Sequence, residues 1–405
     1  MKILLINKFH YLRGGSERVY FDTLEILRQH GHEVRCFSMK DSQNVDDSDG
    51  RYFVDNVDFS ENKSFLRKTK NIFWNVQAQK KLQELLDDFR PQVAHIHNFT
   101  RQLSPSILSI LQERKIKIVQ TLHDYSLICP NGRLFTAGEV CEKCQVHNYW
   151  QAVENKCVKD SYAKSLLAML EMIAYWWLPI YRQKIDAFIS PSRFLAQKLT
   201  DWKVKKEVFV VPNPVVSLKK GISNLGSNIV FAGRLAEEKG IDLLLSAIRH
   251  LPNYNFVICG DGPKRNEVLR AQKKFTNLRY LGQLSSAGLR KTIAEARLMV
   301  VPSIWYENYP MAILEAQVMG KTVLASSLGG SEEMITDNVT GLLFSANSLP
   351  DLLEKISVNY NDLQKLQKIG SLAQSQVLTN NTAEIYYEKL LEVYEKVIES
   401  VVDLG

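Results

Sequence analysis

The 405-residue sequence has no long uninterrupted apolar run. Its most apolar stretch, SLLAMLEMIAYWWLPIYRQKID over 165–186, is broken by Glu171 and Pro179, which excludes a clean membrane span. The apolar run at the N-terminus ends at Asn7 without the longer apolar core or small-residue cleavage site of a secretory signal, so it reads as the first strand of a cytoplasmic protein. Low-complexity tracts and short fixed-period repeats are missing too, and 45% hydrophobic with 23% charged residues sets aside disordered and fibrous classes. Cysteine is sparse at six residues, and two of these, Cys36 and Cys259, sit in strand-like runs as small core hydrophobes. Neither sign of charge dominates: 51 Lys+Arg stand against 44 Asp+Glu. The surplus is local, with 31 against 24 over residues 1–212 and 20 against 20 over 213–405. A basic N-terminal half suits an anionic partner, phospholipid or a diphosphate-linked acceptor, and is equally read as a solvated surface.

What is present is alternation. The β-rich runs KILLIN, EVRCFS, VAHIHN, IKIVQTLH, AFISPS and VFVVPN are separated by helical segments such as SERVYFDTLEILRQHG, where Val19, Leu24, Ile26 and Leu27 mark an apolar side and Gly31 a stop. That is the pattern of a parallel sheet wrapped by helices. PNPVVSLKKGISNLGSN interrupts it as a linker over 213–226. The rhythm resumes in NIVFAGRL, NFVICG, LRYLGQL, LMVVPS, TVLAS and GLLF. The expected α/β fold therefore has two Rossmann-like, doubly wound domains, 1–212 with a cysteine-rich insert at 129–157, and 227–380. The amphipathic segment within 381–405 has no core of its own and is expected to return to the N-terminal domain.

Open parallel sheets bind ligands beyond the carboxyl ends of their strands, beside helix N-termini. In VPSIWYENYPMAILEAQVMG, Glu307 falls in such a loop, Pro310 suits the first turn of the next helix and Glu315 its second turn. A carboxylate accepts hydrogen bonds from paired hydroxyls of a ribose or hexose. The plainer reading is a loop glutamate and a helix glutamate that complements the dipole. Arg234 and Lys239 in FAGRLAEEKGIDLLLSAI lie between a strand and a helix, where two cations and free N–H groups suit a diphosphate. Gly260 in CGDGPKRNEV and the glycines of LGGSEEMI permit close backbone approach.

Taken with RGGSERV, HIHN, TLHD, SPS, VPNPV, GRLAEEKG, GDGP and the E-x7-E pair ENYPMAILE, the sequence resembles the retaining glycosyltransferases of family 4. Their GT-B architecture has two Rossmann-like domains facing across a cleft. The resemblance implies that 1–212 binds acceptor and 227–380 a nucleotide sugar, UDP- or GDP-linked, for transfer to a glycan or lipid-linked acceptor in cell-surface polysaccharide synthesis. It implies that Glu315 holds the ribose hydroxyls and Glu307 the donor sugar, with Asn308, Tyr309 and Pro310 beside it. Arg234 and Lys239 would neutralise the diphosphate in place of a catalytic metal ion, Gly15 and Gly260 would approach the donor through their backbones, and His123 of TLHD would contact the donor sugar. His97 and Asn98 are the candidates on the acceptor side. His95 reads as structural, and is expected to point to the opposite face from His97 if the strand of VAHIHN runs that far.

Cys129, Cys141, Cys144 and Cys157 form C-x11-C-x2-C-x12-C, which fits a structural four-thiolate zinc knuckle with His147 as an alternative ligand, or else free thiols or a redox pair. NKSFLRKTKNIFWNVQAQKK, with Phe65, Phe73 and Trp74, and MIAYWWLPIYRQK, with Trp176 and Trp177, mix aromatic and basic residues. They suit peripheral contact with the anionic inner face of a cytoplasmic membrane, or a core-facing stripe. A related epimerase or phosphorylase-like enzyme remains an alternative. A basic nucleic-acid-binding protein is another, although no recognition motif supports a nucleic-acid partner.

Overall fold

Strand β1, Lys2–Ile6, buries every residue but the first, as a strand covered on both faces must. The computed structural model describes residues 1–56, 71–216 and 225–399. On either side of β1 lie β2 (Glu33–Phe37) and β3 (Val93–Ile96), both parallel to it. With β4 (Lys117–Thr121), the short antiparallel hairpin β5 (Phe135–Thr136) and β6 (Glu139–Val140), then β7 (Ala187–Ser190) and β8 (Val208–Val210), the strands of the N-terminal half are complete among the described residues. The first sheet runs β2-β1-β3-β4-β7-β8. The second is built from β9 (Asn228–Ala232), β10 (Asn255–Cys259), β11 (Leu278–Gly282), β12 (Ala296–Val301), β13 (Val323–Ser327) and β14 (Leu342–Ser345), in the order β11-β10-β9-β12-β13-β14. All neighbours in both sheets are parallel. Strand order reverses beside β1 and again beside β9, the positions where doubly wound sheets open a crevice.

The chain divides into two compact units, one of 1–132, 143–214 and 383–405, the other of 133–142 and 215–382. Sequence reasoning kept the whole insert 129–157 with the first domain; the β5–β6 hairpin groups instead with the second. Its anchors there are ionic and polar. Arg133 lies 3.8 Å from buried Glu238, and the Tyr306 hydroxyl bonds to Glu142. Of the expected linker, residues 217–224 lie outside the described residues. Its start is held by a bridge between Val215 and Thr382 within the second unit.

The helix Ala383–Glu399 groups with the first unit and buries Tyr386, Leu390, Val393, Tyr394 and Val397. The Tyr386 hydroxyl bonds to Thr23 at 2.8 Å and that of Tyr394 to His95 at 2.7 Å, so the two polar ends are satisfied inside the core.

In the second unit the loop after β12, residues 302–310, is gripped from both sides by backbone. Gly240 has φ +70°, and a Cβ there would stand 1.8 Å from the Pro302 carbonyl oxygen; a Cβ on Gly330 would stand 1.8 Å from that of Asn308. Neither position admits a side chain without moving the loop. Gly240→Ala is expected to destabilise the second unit by more than about 1 kcal/mol, since backbone strain adds to the clash. A urea midpoint equal to wild type would contradict this.

Candidate functional site

Within the second unit, the loops at the carboxyl edge bring Lys239 and Glu307 together. Lys239 Nζ donates to Glu307 Oε1 at 2.7 Å and Oε2 at 2.9 Å, and the Ser303 hydroxyl donates to Oε1 at 2.5 Å. The Glu307 side chain is almost fully enclosed, while Lys239 remains one quarter exposed and lies 5.1 Å over the Trp305 ring. Removing one partner of such an enclosed pair strands the other and costs about 3–5 kcal/mol. Backbone bonds hold the frame: Gly330 N–H donates to the Glu307 carbonyl at 2.7 Å, and Ile304 N–H to that of Glu238 at 3.0 Å. Arg234 is more exposed. Its guanidinium approaches Glu238 at 3.9 Å, opposite Arg133 at 3.8 Å, so one buried carboxylate orients two cations.

The remaining donor-side candidates occupy the same edge. Gly260 follows β10, donates to the Gly282 carbonyl and accepts from the Tyr280 hydroxyl at 2.9 Å. Asn308 is buried. The Tyr309 hydroxyl accepts from Asn381 at 2.7 Å, and burial pushes the phenol up to about 12. Pro310 stands one residue before the helix Met311–Val318, as its N-cap rather than inside its first turn. Glu315 is half-buried in the second turn of that helix.

In the first unit, the carboxyl ends of β3 and β4 gather the histidines. The expectation that His95 and His97 face apart is wrong: residues two apart in an extended chain share a face, and although β3 ends at Ile96 the two rings stack at 4.6 Å. His97 Nδ1 meets His123 Nε2 at 2.8 Å, with the rings stacked at 5.1 Å. One nitrogen of that pair donates and the other accepts, so two neutral rings satisfy it. Among the described residues, His97 Nε2 is buried without a hydrogen-bond partner. His95 is fully engaged, by Tyr394 on Nδ1 and Thr121 on Nε2, both at 2.7 Å. Asn98 N–H donates to the buried Asn7 side chain at 3.0 Å. Gly15 is the exposed first residue of the helix Gly15–Gln29.

Three groups escaped the sequence reading. Ser303 is signalled only by its place at a strand end. Glu238 and Arg133 are 105 positions apart in sequence and nothing local couples them. Lys8, just past β1, is a third: burial pushes its ammonium below the usual lysine range, with Asp124 and Glu17 acting the other way.

The four clustered cysteines are divided between the units, Cys141 falling with the hairpin's unit and Cys129, Cys144 and Cys157 with the other. The Cys129 thiol donates to the Asn131 side chain at 3.0 Å. His147 packs edge-on against Trp176 at 4.0 Å. A convergent trio of metal-ligand types within the first unit is His10, Cys36 and Asp47. It is also a hydrogen-bonded network, since His10 bonds to the Tyr20 hydroxyl at 3.0 Å and stands 3.4 Å from Asp47.

Residues 13–217 match the family model Glycosyltransferase Family 4, and residues 219–376 match Glycosyl transferases group 1. The chain belongs to glycosyltransferase family 4. It is 30% identical over 187 residues to an uncharacterised glycosyltransferase of Methanocaldococcus jannaschii, covering 44% of this chain and 52% of that protein. It is 28% identical over 238 residues to the lipopolysaccharide 1,2-N-acetylglucosaminetransferase of Salmonella typhimurium, covering 51% and 62%. The match thus spans between half and two thirds of each of these two relatives. Among solved structures, sucrose-phosphate synthase from Thermosynechococcus elongatus superposes with a TM-score of 0.73 at 16% identity, over 98% of this chain and 99% of that one. Anabaena HepE, solved in complex with UDP and glucose, gives 0.67 at 17% identity, over 98% and 100%. The family 4 chain has the GT-B fold.

The histidine stack sets a pH dependence. Burial pushes His95 down to about 3 and His123 to about 4, and His97 well below its usual value, with the neighbouring histidines adding to the effect on His97 and His95. Neutral rings therefore stabilise the fold above the unfolded histidine value near 6.5, and this contribution is lost as pH falls from there toward 4, because only the unfolded chain takes up the protons. Urea unfolding of the wild type should weaken steadily between pH 6.5 and 4.5. His123→Gln should lessen that slope, and an unchanged slope would contradict the assignment.

Proposed function

We propose that this glycosyltransferase moves a hexosyl group from a UDP- or GDP-sugar to a glycan or lipid-linked acceptor in cell-surface polysaccharide synthesis, retaining the anomeric configuration. The observation that carries the reading is the enclosed Lys239–Glu307 pair at the carboxyl edge of the second sheet, in a chain of family 4. Supporting it are the Salmonella relative, a lipopolysaccharide N-acetylglucosaminetransferase by name, and the Anabaena structure with UDP and glucose.

In this reading Glu315 binds the ribose hydroxyls, and Glu307, Asn308, Tyr309 and Pro310 define the donor-sugar pocket. Lys239 and Arg234 face the diphosphate, and Gly260 and Gly15 approach it by backbone. His123 contacts the donor sugar; His97 and Asn98 belong to the acceptor side. The bond from the anomeric carbon to the diphosphate oxygen breaks with its electron pair going to that oxygen. The acceptor hydroxyl attacks the same face and passes its proton to the departing phosphate. Charge builds on the diphosphate as the bond stretches, so fixed cations lower the barrier more than they tighten ground-state binding. With Lys239 and Arg234 supplying that charge, transfer needs no catalytic metal and withstands chelation.

Incubating the protein with a panel of sugar nucleotides tests the reading. One donor should raise the melting temperature and be consumed with acceptor, giving product of the same anomeric configuration by NMR. Glu315→Gln should lower kcat/KM for that donor by about tenfold or more, the loss of a charge-assisted hydrogen bond. Wild-type transfer by that variant would remove Glu315 from the donor site, and inversion would remove the mechanism.

The C-x11-C-x2-C-x12-C spacing and all-thiol donor set of Cys129, Cys141, Cys144 and Cys157 are all that support a structural zinc, since among the described residues these thiols do not converge as a metal-ligand group. Metal analysis of the purified protein should find about one zinc per chain, released by thiol modification. Metal-free protein with four reactive thiols would dismiss it.

A further inference from the structure

The helix Tyr162–Trp177 has an outer face that a water-exposed helix does not ordinarily carry. Only two of its sixteen residues are charged, Lys164 and Glu171. Glu171 is turned inward, where it accepts from the Tyr175 hydroxyl at 2.8 Å and pairs with Arg101 at 3.2 Å. Outward stand Tyr162, Leu166, Leu170, Ile173 and Trp177, with 59%, 40%, 47%, 38% and 71% of their surface exposed. Their spacing of four, four, three and four residues confines them to an arc of about 80° on one side. The buried face of the helix is largely apolar as well, through Ala168, Met169, Met172 and Trp176. A helix apolar on both sides is expected in a core or at a lipid boundary, not against water.

The stripe has aromatic ends and flanking cations. Lys156 Nζ lies 4.7 Å over the Tyr162 ring at one end. At the other, the Arg182 guanidinium lies 3.9 Å over Trp176 and donates to its carbonyl at 2.9 Å. Trp176 itself is not part of the stripe, since its ring is buried and its indole N–H donates to the Leu127 carbonyl at 3.2 Å. Phe65 and the basic run 63–70 lie outside the described residues.

We propose that this face docks on an anionic lipid bilayer. At sixteen residues the helix is about 24 Å long, shorter than the roughly 30 Å hydrocarbon core, so it lies in the plane of the interface. Among the described residues no helix is long and apolar enough to cross a membrane. Tyr162, Leu166, Leu170, Ile173 and Trp177 enter the boundary between headgroups and acyl chains, and the cations at both ends meet lipid phosphates. Charge decides between a bilayer and a second copy of the chain. A two-fold pairing along the stripe would set cationic ends against cationic ends, whereas anionic lipid complements both. The binding goes beyond the transfer reaction and needs no sugar nucleotide.

Flotation of the full chain with extruded vesicles tests it. Wild-type protein should float with vesicles of phosphatidylcholine containing phosphatidylglycerol, less with phosphatidylcholine alone, and less again as salt is raised. Leu170→Glu should lower partitioning by about tenfold or more, because a charge then enters the boundary. Trp177→Ser should lower it too, while Trp150→Ser, an exposed tryptophan outside the stripe, should not. Circular dichroism and the melting temperature report whether each variant folds; were Leu170→Glu to misfold, Trp177→Ser and Leu166→Gln would decide. Equal partitioning of the folded stripe variants and wild type would overturn the proposal. So would absence of wild-type binding to anionic vesicles, or a dimer in sedimentation that Leu170→Glu dissolves without any change in flotation.

Discussion

The loop 302–310 has no slack. Main chain presses on it from two directions, at Gly240 against Pro302 and at Gly330 against Asn308, with distances that leave no room for a methyl group. Glu307 is therefore placed by peptide geometry before any side chain contributes. Ser303 and Lys239 then orient its carboxylate, and the Glu307 carbonyl accepts from Gly330, tying the loops after β9, β12 and β13 into one frame. Polar groups held this way are aligned before a ligand arrives, which is the condition under which electrostatic stabilisation of a transition state is greatest.

The first unit achieves rigidity differently, through rings. Tyr394 from the last helix bonds to His95, His95 stacks on His97, and His97 bonds to His123 at the sheet's carboxyl edge. Each ring is kept neutral by burial, so the chain of contacts is one of dipoles and faces and carries no net charge. The last helix thereby supports the edge where TLHD sits, and its tyrosines are polar at the point where they enter the core.

Much of this was legible in the sequence because it is local. Strand and helix alternation gave the two parallel sheets, and strand ends marked Lys239, Glu307, His97 and His123. Pairings between distant segments were not legible. No periodicity links Arg133 to Glu238, and nothing in GRLAEEKG says that Lys239 would lie on Glu307. The relation of His95 to His97 was misread because residues two apart in a strand share a face, which is how the two rings come to stack. Trp176 and Trp177 are adjacent and alike in sequence, yet one is enclosed and the other exposed, since a step of about 100° around a helix separates them.

The path of the chain has a consequence for biosynthesis. The first unit needs the helix Ala383–Glu399 to cover Thr23 and His95, whereas the second unit is finished by Thr382. Emerging from the ribosome, the N-terminal sheet is made first but closed last, after its neighbour has already had the chance to fold. Until the final turns appear, the side of that sheet destined for the helix is open to whatever the nascent chain meets.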